Sequence, residues 1–178
     1  MAKNGFKVMD SDMHVIEPPD LWQRYIALEF KEQAPVGTNE HIGDVSMLKP
    51  DGQLWGRQPM GEWNQAKAHD VNNNHGRFKP YADQGWTGEA QLKAMFEEGI
   101  DVAVLHPSRG LFALTIPDMD PRLASAMARA YTDWLYDFCQ ADTSSLLGAG
   151  MLSPFEMEEA IVEAHRCVED LGFRGGVS

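Results

Sequence analysis

Positive charge is scarce in this sequence: 15 Lys and Arg stand against 27 Asp and Glu, for a formal net charge of −12. Nucleic-acid binding needs clustered cations to replace phosphate counterions, so the balance argues against that partner and against anionic membrane surfaces alike. Long apolar runs are missing too. Nothing approaches the roughly 20 residues needed to span a bilayer, and Met1-Ala2-Lys3-Asn4-Gly5-Phe6 has no apolar h-region that would mark a secretory signal. Cysteine is limited to Cys139 and Cys167, both inside predicted helices and without metal-type spacing. Two buried free thiols and a cytoplasmic location are the expectation. No glycine-rich phosphate loop follows the first apolar strand, which argues against a dinucleotide-binding sheet.

What is present is a regular alternation. With 178 residues and 43% hydrophobic content, the chain can bury one core, and a single domain over 1–178 is expected. Leu92, Met95 and Phe96, closed by Gly99, predict a short amphipathic helix with a glycine just past its end. The apolar run Ile100 to His106, closed by Pro107, reads as a strand buried on both faces. Asp120-Pro121 starts a helix with an acid at the N-cap and proline at N1. Its apolar stripe is Leu123, Met127, Ala130, Tyr131, Trp134, Leu135 and Phe138.

Leu146 to Met151 is the next strand, and Ser153-Pro154-Phe155-Glu156 reads as a capping box. The helix it would open puts Met157, Ile161, Ala164, Val168 and Leu171 on one face and stops at Gly172, before a last strand from Phe173. Strand–helix alternation predicts an α/β fold with a parallel sheet and right-handed crossovers. About four parallel strands are expected, half of an eight-stranded (β/α) TIM-type barrel, which takes about 250 residues when whole. Glycines at 148, 150, 175 and 176 suit strands crowded around a barrel interior or a ligand. An open α/β binding domain is the weaker alternative. Residues 15–87 form a long insertion after the first strand, rich in proline and holding Trp22, Trp55, Trp63 and Trp86. Such excursions serve as lids or binding walls; packing beneath a long loop explains the tryptophans equally well.

The chemistry gathers at the end of the first strand, Val8-Met9-Asp10-Ser11-Asp12-Met13-His14. In a regular strand Asp10, Asp12 and His14 share one face. Asp12 and His14 at i and i+2 can bind one divalent ion, and Zn²⁺, Mn²⁺ and Fe²⁺ all accept that oxygen–nitrogen pair. Asp10 would support the ligands from one step deeper. The plainer reading is a solvated strand end with an Asp–His hydrogen bond.

The run D-S-D-M-H-V-I-E-P-P-D-L-W from Asp10 to Trp22 resembles the opening of the amidohydrolase-related family, the amidohydrolase-2 group of the amidohydrolase superfamily. The blocks 99–111, 130–139 and 171–176 are similar to later parts of it in the right order; the stretch 35–80 is not placed. The resemblance implies a metal-dependent barrel enzyme that hydrolyses C–N or C–O bonds or decarboxylates small aromatic or related acids. It makes Asp12 and His14 two metal ligands, with zinc as the leading metal and Mn or Fe as alternatives. The family's middle-strand histidine and last-strand aspartate, the expected proton shuttle, would lie beyond Ser178. A chain without them is expected to be incomplete as a catalyst, or a non-catalytic half-barrel whose open edges favour a homo-oligomer.

Other candidates rank lower. Arg109 suits a substrate carboxylate through a two-pronged contact, or an ion pair with a loop acid. His106 lines the same mouth and reads as more structural than substrate-binding. Glu17 is expected to brace the Pro18-Pro19 loop or to hydrogen-bond the metal histidine. His69 and His75 suggest a second metal site only weakly, and His41 and His165 read as surface residues.

Overall fold

A computed structural model describes residues 4–37, 47–53, 55, 79–114, 116 and 119–178. The calls on His41, Trp63, His69 and His75 lie outside these residues. The elements are β1 (Met9–His14), α1 (Leu21–Tyr25), β2 (Val36–Gly37), β3 (Met47–Leu48), α2 (Lys79–Ala82), α3 (Gly88–Glu98), β4 (Val102–His106), α4 (Gly110–Ala113), α5 (Pro121–Cys139), β5 (Leu146–Met151), α6 (Met157–His165) and β6 (Gly175–Val177). Strands β1, β4, β5 and β6 form one parallel sheet in that order, and β2 pairs antiparallel with β3. The expected α/β half-barrel architecture is what the chain adopts. Among the described residues no helix is long and apolar enough to cross a membrane.

Local chemistry sets most boundaries where the sequence puts them. The Asp120 side chain accepts from the Arg122 amide at 2.9 Å and Pro121 takes N1, so α5 starts there. Gly99 closes α3 at φ 78°, a left-handed conformation that costs a residue with a Cβ but not glycine. Helix α5 is the keel of the core. Leu123, Met127, Ala130, Tyr131, Trp134 and Leu135 are buried along it, and Thr132 donates to Ala128 O and accepts from the Met151 amide, both at 3.1 Å. That hydroxyl pins the C-terminal end of β5 to the helix. Cys139 and Cys167 are buried and free, and burial pushes their thiols up to about 12 and about 11.

Three expectations change. The predicted capping box is a turn instead: Ser153 Oγ accepts from the Phe155 amide at 3.4 Å, Glu156 takes the N-cap, and α6 begins at Met157. Two of the four crowded glycines, Gly148 and Gly150, are crowded by Phe173 and Cys167. A Cβ at Gly148 would meet the Phe173 ring at 2.6 Å, and one at Gly150 would collide with Cys167 Sγ. Finally, α6 and the helical turn after it at 166–170 leave much of the expected apolar face exposed, although Ala164 and Leu171 are partly buried. Met157, Ile161, Val162 and Val168 are half or more exposed, while buried Glu163 faces inward with Arg166, which also pairs with Asp133 at 2.8 Å. Strand β6 is one edge of the sheet and β1 the other.

Candidate metal site at the ends of β1 and β4

Strands β1 and β4 run parallel and finish in register at His14 and His106. Adjacent strand ends thereby bring two imidazoles within 6.2 Å, centroid to centroid. The regular alternation expected of β1 is broken, because the register shifts between Asp10 and Met13. Such an irregularity frees a backbone amide and re-aims the side chains after it. Asp10 takes up the slack: its Oδ1 accepts from the Asp12 amide at 3.0 Å. Asp10 thus holds the backbone of the candidate ligand segment rather than sitting one step deeper on the same face.

His14 is fixed from behind. Its Nδ1 lies 2.6 Å from Pro107 O. A carbonyl only accepts, so Nδ1 carries a proton, and in the neutral ring Nε2 presents its lone pair. Nε2 stands 3.5 Å from Asp12 Oδ1. Two acceptors facing each other at that distance want a cation between them, either a metal ion or a second proton on the imidazole. Ligands about 2.0–2.1 Å from a tetrahedral metal sit about 3.3–3.4 Å apart, so the donor types and their spacing both fit one divalent ion. Among the described residues no third His, Cys, Asp or Glu joins them.

The remaining predicted residues fall around this pair. His106 is half-buried, its Nε2 3.3 Å from Ser11 O, and its own carbonyl accepts from the Val15 amide at 2.9 Å. It stitches β4 to β1, a structural part. Arg109 is 4% exposed, with Nη1 beside the Cα of Gly37, where a Cβ would lie 2.5 Å away. Its charge neighbours Glu17, which places it with a buried acid and away from solvent. His165 is a surface residue, 3.0 Å from Glu169.

Glu17 departs most from expectation. It touches neither the proline loop's amides nor His14. At 1% exposure, its Oε1 accepts from the Ser108 and Gly110 amides at 2.9 and 3.0 Å, and Oε2 from the Arg109 amide at 3.0 Å. Burial raises its carboxyl above the usual 4.5, opposed by these amides and by the Arg109 charge. Burial also lifts the nearby Tyr131 phenol well above its ordinary value, and Glu17 adds to that rise.

The sequence reading missed a cavity of about 250 Å³ between His14, Ile16, Tyr81, Trp86 and Gln91, with Glu97 and Glu98 on its wall. Trp86 reaches it from a left-handed backbone, φ 54°. The one sequence signal was a tryptophan directly after Gly85. Trp22 and Trp55 are packing residues, each donating its indole N–H to a carbonyl, Met127 O at 3.3 Å and Ala113 O at 3.0 Å.

No protein-family model matches the sequence, and no curated protein sequence matches it either. Solved structures do. An amidohydrolase from Mycobacterium avium subsp. paratuberculosis K-10 superposes with TM-score 0.61 at 17% identity, over 94% of this chain and 48% of that one. The fold is half of a (β/α) TIM-type barrel. The 5-carboxyvanillate decarboxylase from Novosphingobium aromaticivorans DSM 12444, complexed with manganese and 4-hydroxy-3-methoxy-5-nitrobenzoic acid, matches at TM-score 0.53 and 21% identity, over 97% of this chain and 41% of that one. The 2,6-dihydroxybenzoate decarboxylase from Rhizobium matches at 0.51 and 19%, over 96% and 37%. The chain therefore spans less than half the length of these relatives. In TIM-type barrels the C-terminal strand ends carry the active site, and Asp12, His14 and His106 stand at such ends here.

Proposed function

We propose that this chain contributes the first two metal ligands, Asp12 and His14, to an amidohydrolase-related enzyme. Its reaction is hydrolysis of a C–N or C–O bond, or non-oxidative decarboxylation, on a small carboxylate-bearing substrate. The observation that supports this is the facing pair of acceptors, His14 Nε2 and Asp12 Oδ1 at 3.5 Å. When bound, a divalent ion supplies Lewis acidity and a lowered pKa for its water. Zinc, manganese and iron all suit the donor pair. The chain's own part is to hold the imidazole in one tautomer and to wall the adjoining cavity with Tyr81 and Trp86.

Mn²⁺ titration followed by NMR tests the reading directly. Paramagnetic broadening is expected first at His14, Asp12 and their neighbours, and His14→Ala is expected to weaken it at least tenfold. Uniform broadening over all the surface carboxylates, unchanged by His14→Ala, would sink the metal site.

The exposed residues Met157, Ile161, Val162 and Val168, together with the open edge of β6, favour a second reading, a half-barrel that works only when assembled. Contiguous exposed apolar surface next to an open strand edge promotes association. Size-exclusion chromatography with light scattering is expected to show a species larger than 19.9 kDa, shifted toward monomer by Ile161→Lys. A monodisperse monomer at high concentration removes this reading.

A further inference from the structure

Two hydrogen bonds described separately meet on one peptide group. The amide between Pro107 and Ser108 offers its carbonyl to His14 Nδ1 at 2.6 Å and its N–H to Glu17 Oε1 at 2.9 Å. A buried carboxylate, a peptide and an imidazole are thus connected in series. Hydrogen bonds in such a chain polarise one another. A carboxylate pulling on the N–H makes the same peptide's carbonyl a stronger acceptor. The stronger acceptor holds the proton on Nδ1 and leaves Nε2 as the ligand.

We propose that Glu17 is a positioning residue for His14, acting through the 107–108 peptide to fix the Nδ1–H tautomer and raise the ligand strength of Nε2. Metal-binding histidines are commonly oriented by a carboxylate or a carbonyl on the far nitrogen; here the two act in series. The remaining Glu17 bonds, to the Arg109 and Gly110 amides, keep the loop from rotating that peptide away. The register supports the geometry, since His14 and His106 are direct partners and Pro107 follows at once. Use of this relay rests on the proposed metal site, but its existence does not.

The test is the tautomer of His14 in metal-free protein at pH 8, read from two-bond ¹H–¹⁵N spectra of histidine-labelled samples. Wild type is expected to show Nδ1–H. Glu17→Gln, with unchanged far-UV circular dichroism, is expected to move His14 toward the Nε2–H form and to weaken Mn²⁺ binding about 10–100-fold. An unchanged tautomer in folded Glu17→Gln overturns the relay, because a merely structural Glu17 would alter stability alone. Should Glu17→Gln not fold, amide exchange in wild type decides: a strongly protected Ser108 N–H supports the clamp, and exchange at the free-peptide rate overturns it. A tautomer change without Mn²⁺ binding to wild type would keep the relay and discard the metal site, and the converse result would do the reverse.

Discussion

Glu17→Ala is expected to destabilise the fold by about 3–6 kcal/mol, since it leaves the amides of Ser108, Arg109 and Gly110 buried without their acceptor, at about 1–3 kcal/mol each. The loss also strips Arg109, 4% exposed, of its neighbouring acid, and breaking a buried charge pair on one side adds to the cost. Urea unfolding at pH 8 measures it; a loss below about 1 kcal/mol would mean that the loop re-forms its bonds elsewhere. The pH dependence has a definite sign. Because burial raises the Glu17 carboxyl above 4.5, the folded state holds that proton more tightly than the unfolded chain does. The proton-linked part of its contribution is complete below about 4.5 and is lost as pH rises through the raised value, while the three amide bonds remain. Wild type is therefore expected to lose stability relative to Glu17→Gln across that window.

Why the partners of Glu17 are hidden in the sequence, while the strands are not, is a matter of range. Strand β4, strand β5 and the start of α5 are written in neighbouring residues: an apolar run, a closing proline, an Asp-Pro cap. Their formation needs only local patterning. Glu17 finds its partners 91 to 93 residues away, and nothing nearby in the sequence encodes that meeting. The β1 irregularity is hidden for a related reason. A two-residue alternation is blind to a register shift, which exists only relative to the partner strand β4. Asp12 lies within the shifted stretch and His14 beyond it, yet the two side chains still approach to 3.5 Å.

The apolar row of α6 shows a different limit. Its spacing was read correctly, yet Met157 is 76% exposed. Periodicity reports that a helix has an apolar face, while the direction of that face depends on what lies next to it. Here the Glu163–Arg166–Asp133 ion pairs turn the polar flank toward α5.

Trp22→Ala is expected to cost about 3–5 kcal/mol, the range for deleting a fully buried large aromatic. Trp22 has no exposed surface and its indole N–H bonds Met127 O on α5 at 3.3 Å. Trp22→Phe keeps most of the apolar contact and loses that bond, so about 1–2 kcal/mol is expected. Thermal or urea unfolding separates the two, and an equal loss for both would show that the indole's bulk contributes little. The effect should extend beyond packing. Trp22 and Glu17 anchor the same short segment, Trp22 to α5 and Glu17 to the loop after β4. Once either anchor is gone the segment loosens, and the second has less left to hold. The Glu17→Ala/Trp22→Ala double variant is therefore expected to lose less than the sum of the single losses, by about 1 kcal/mol or more. Strict additivity would mean that the two anchors act independently, and that the path from the core to His14 does not run through this segment.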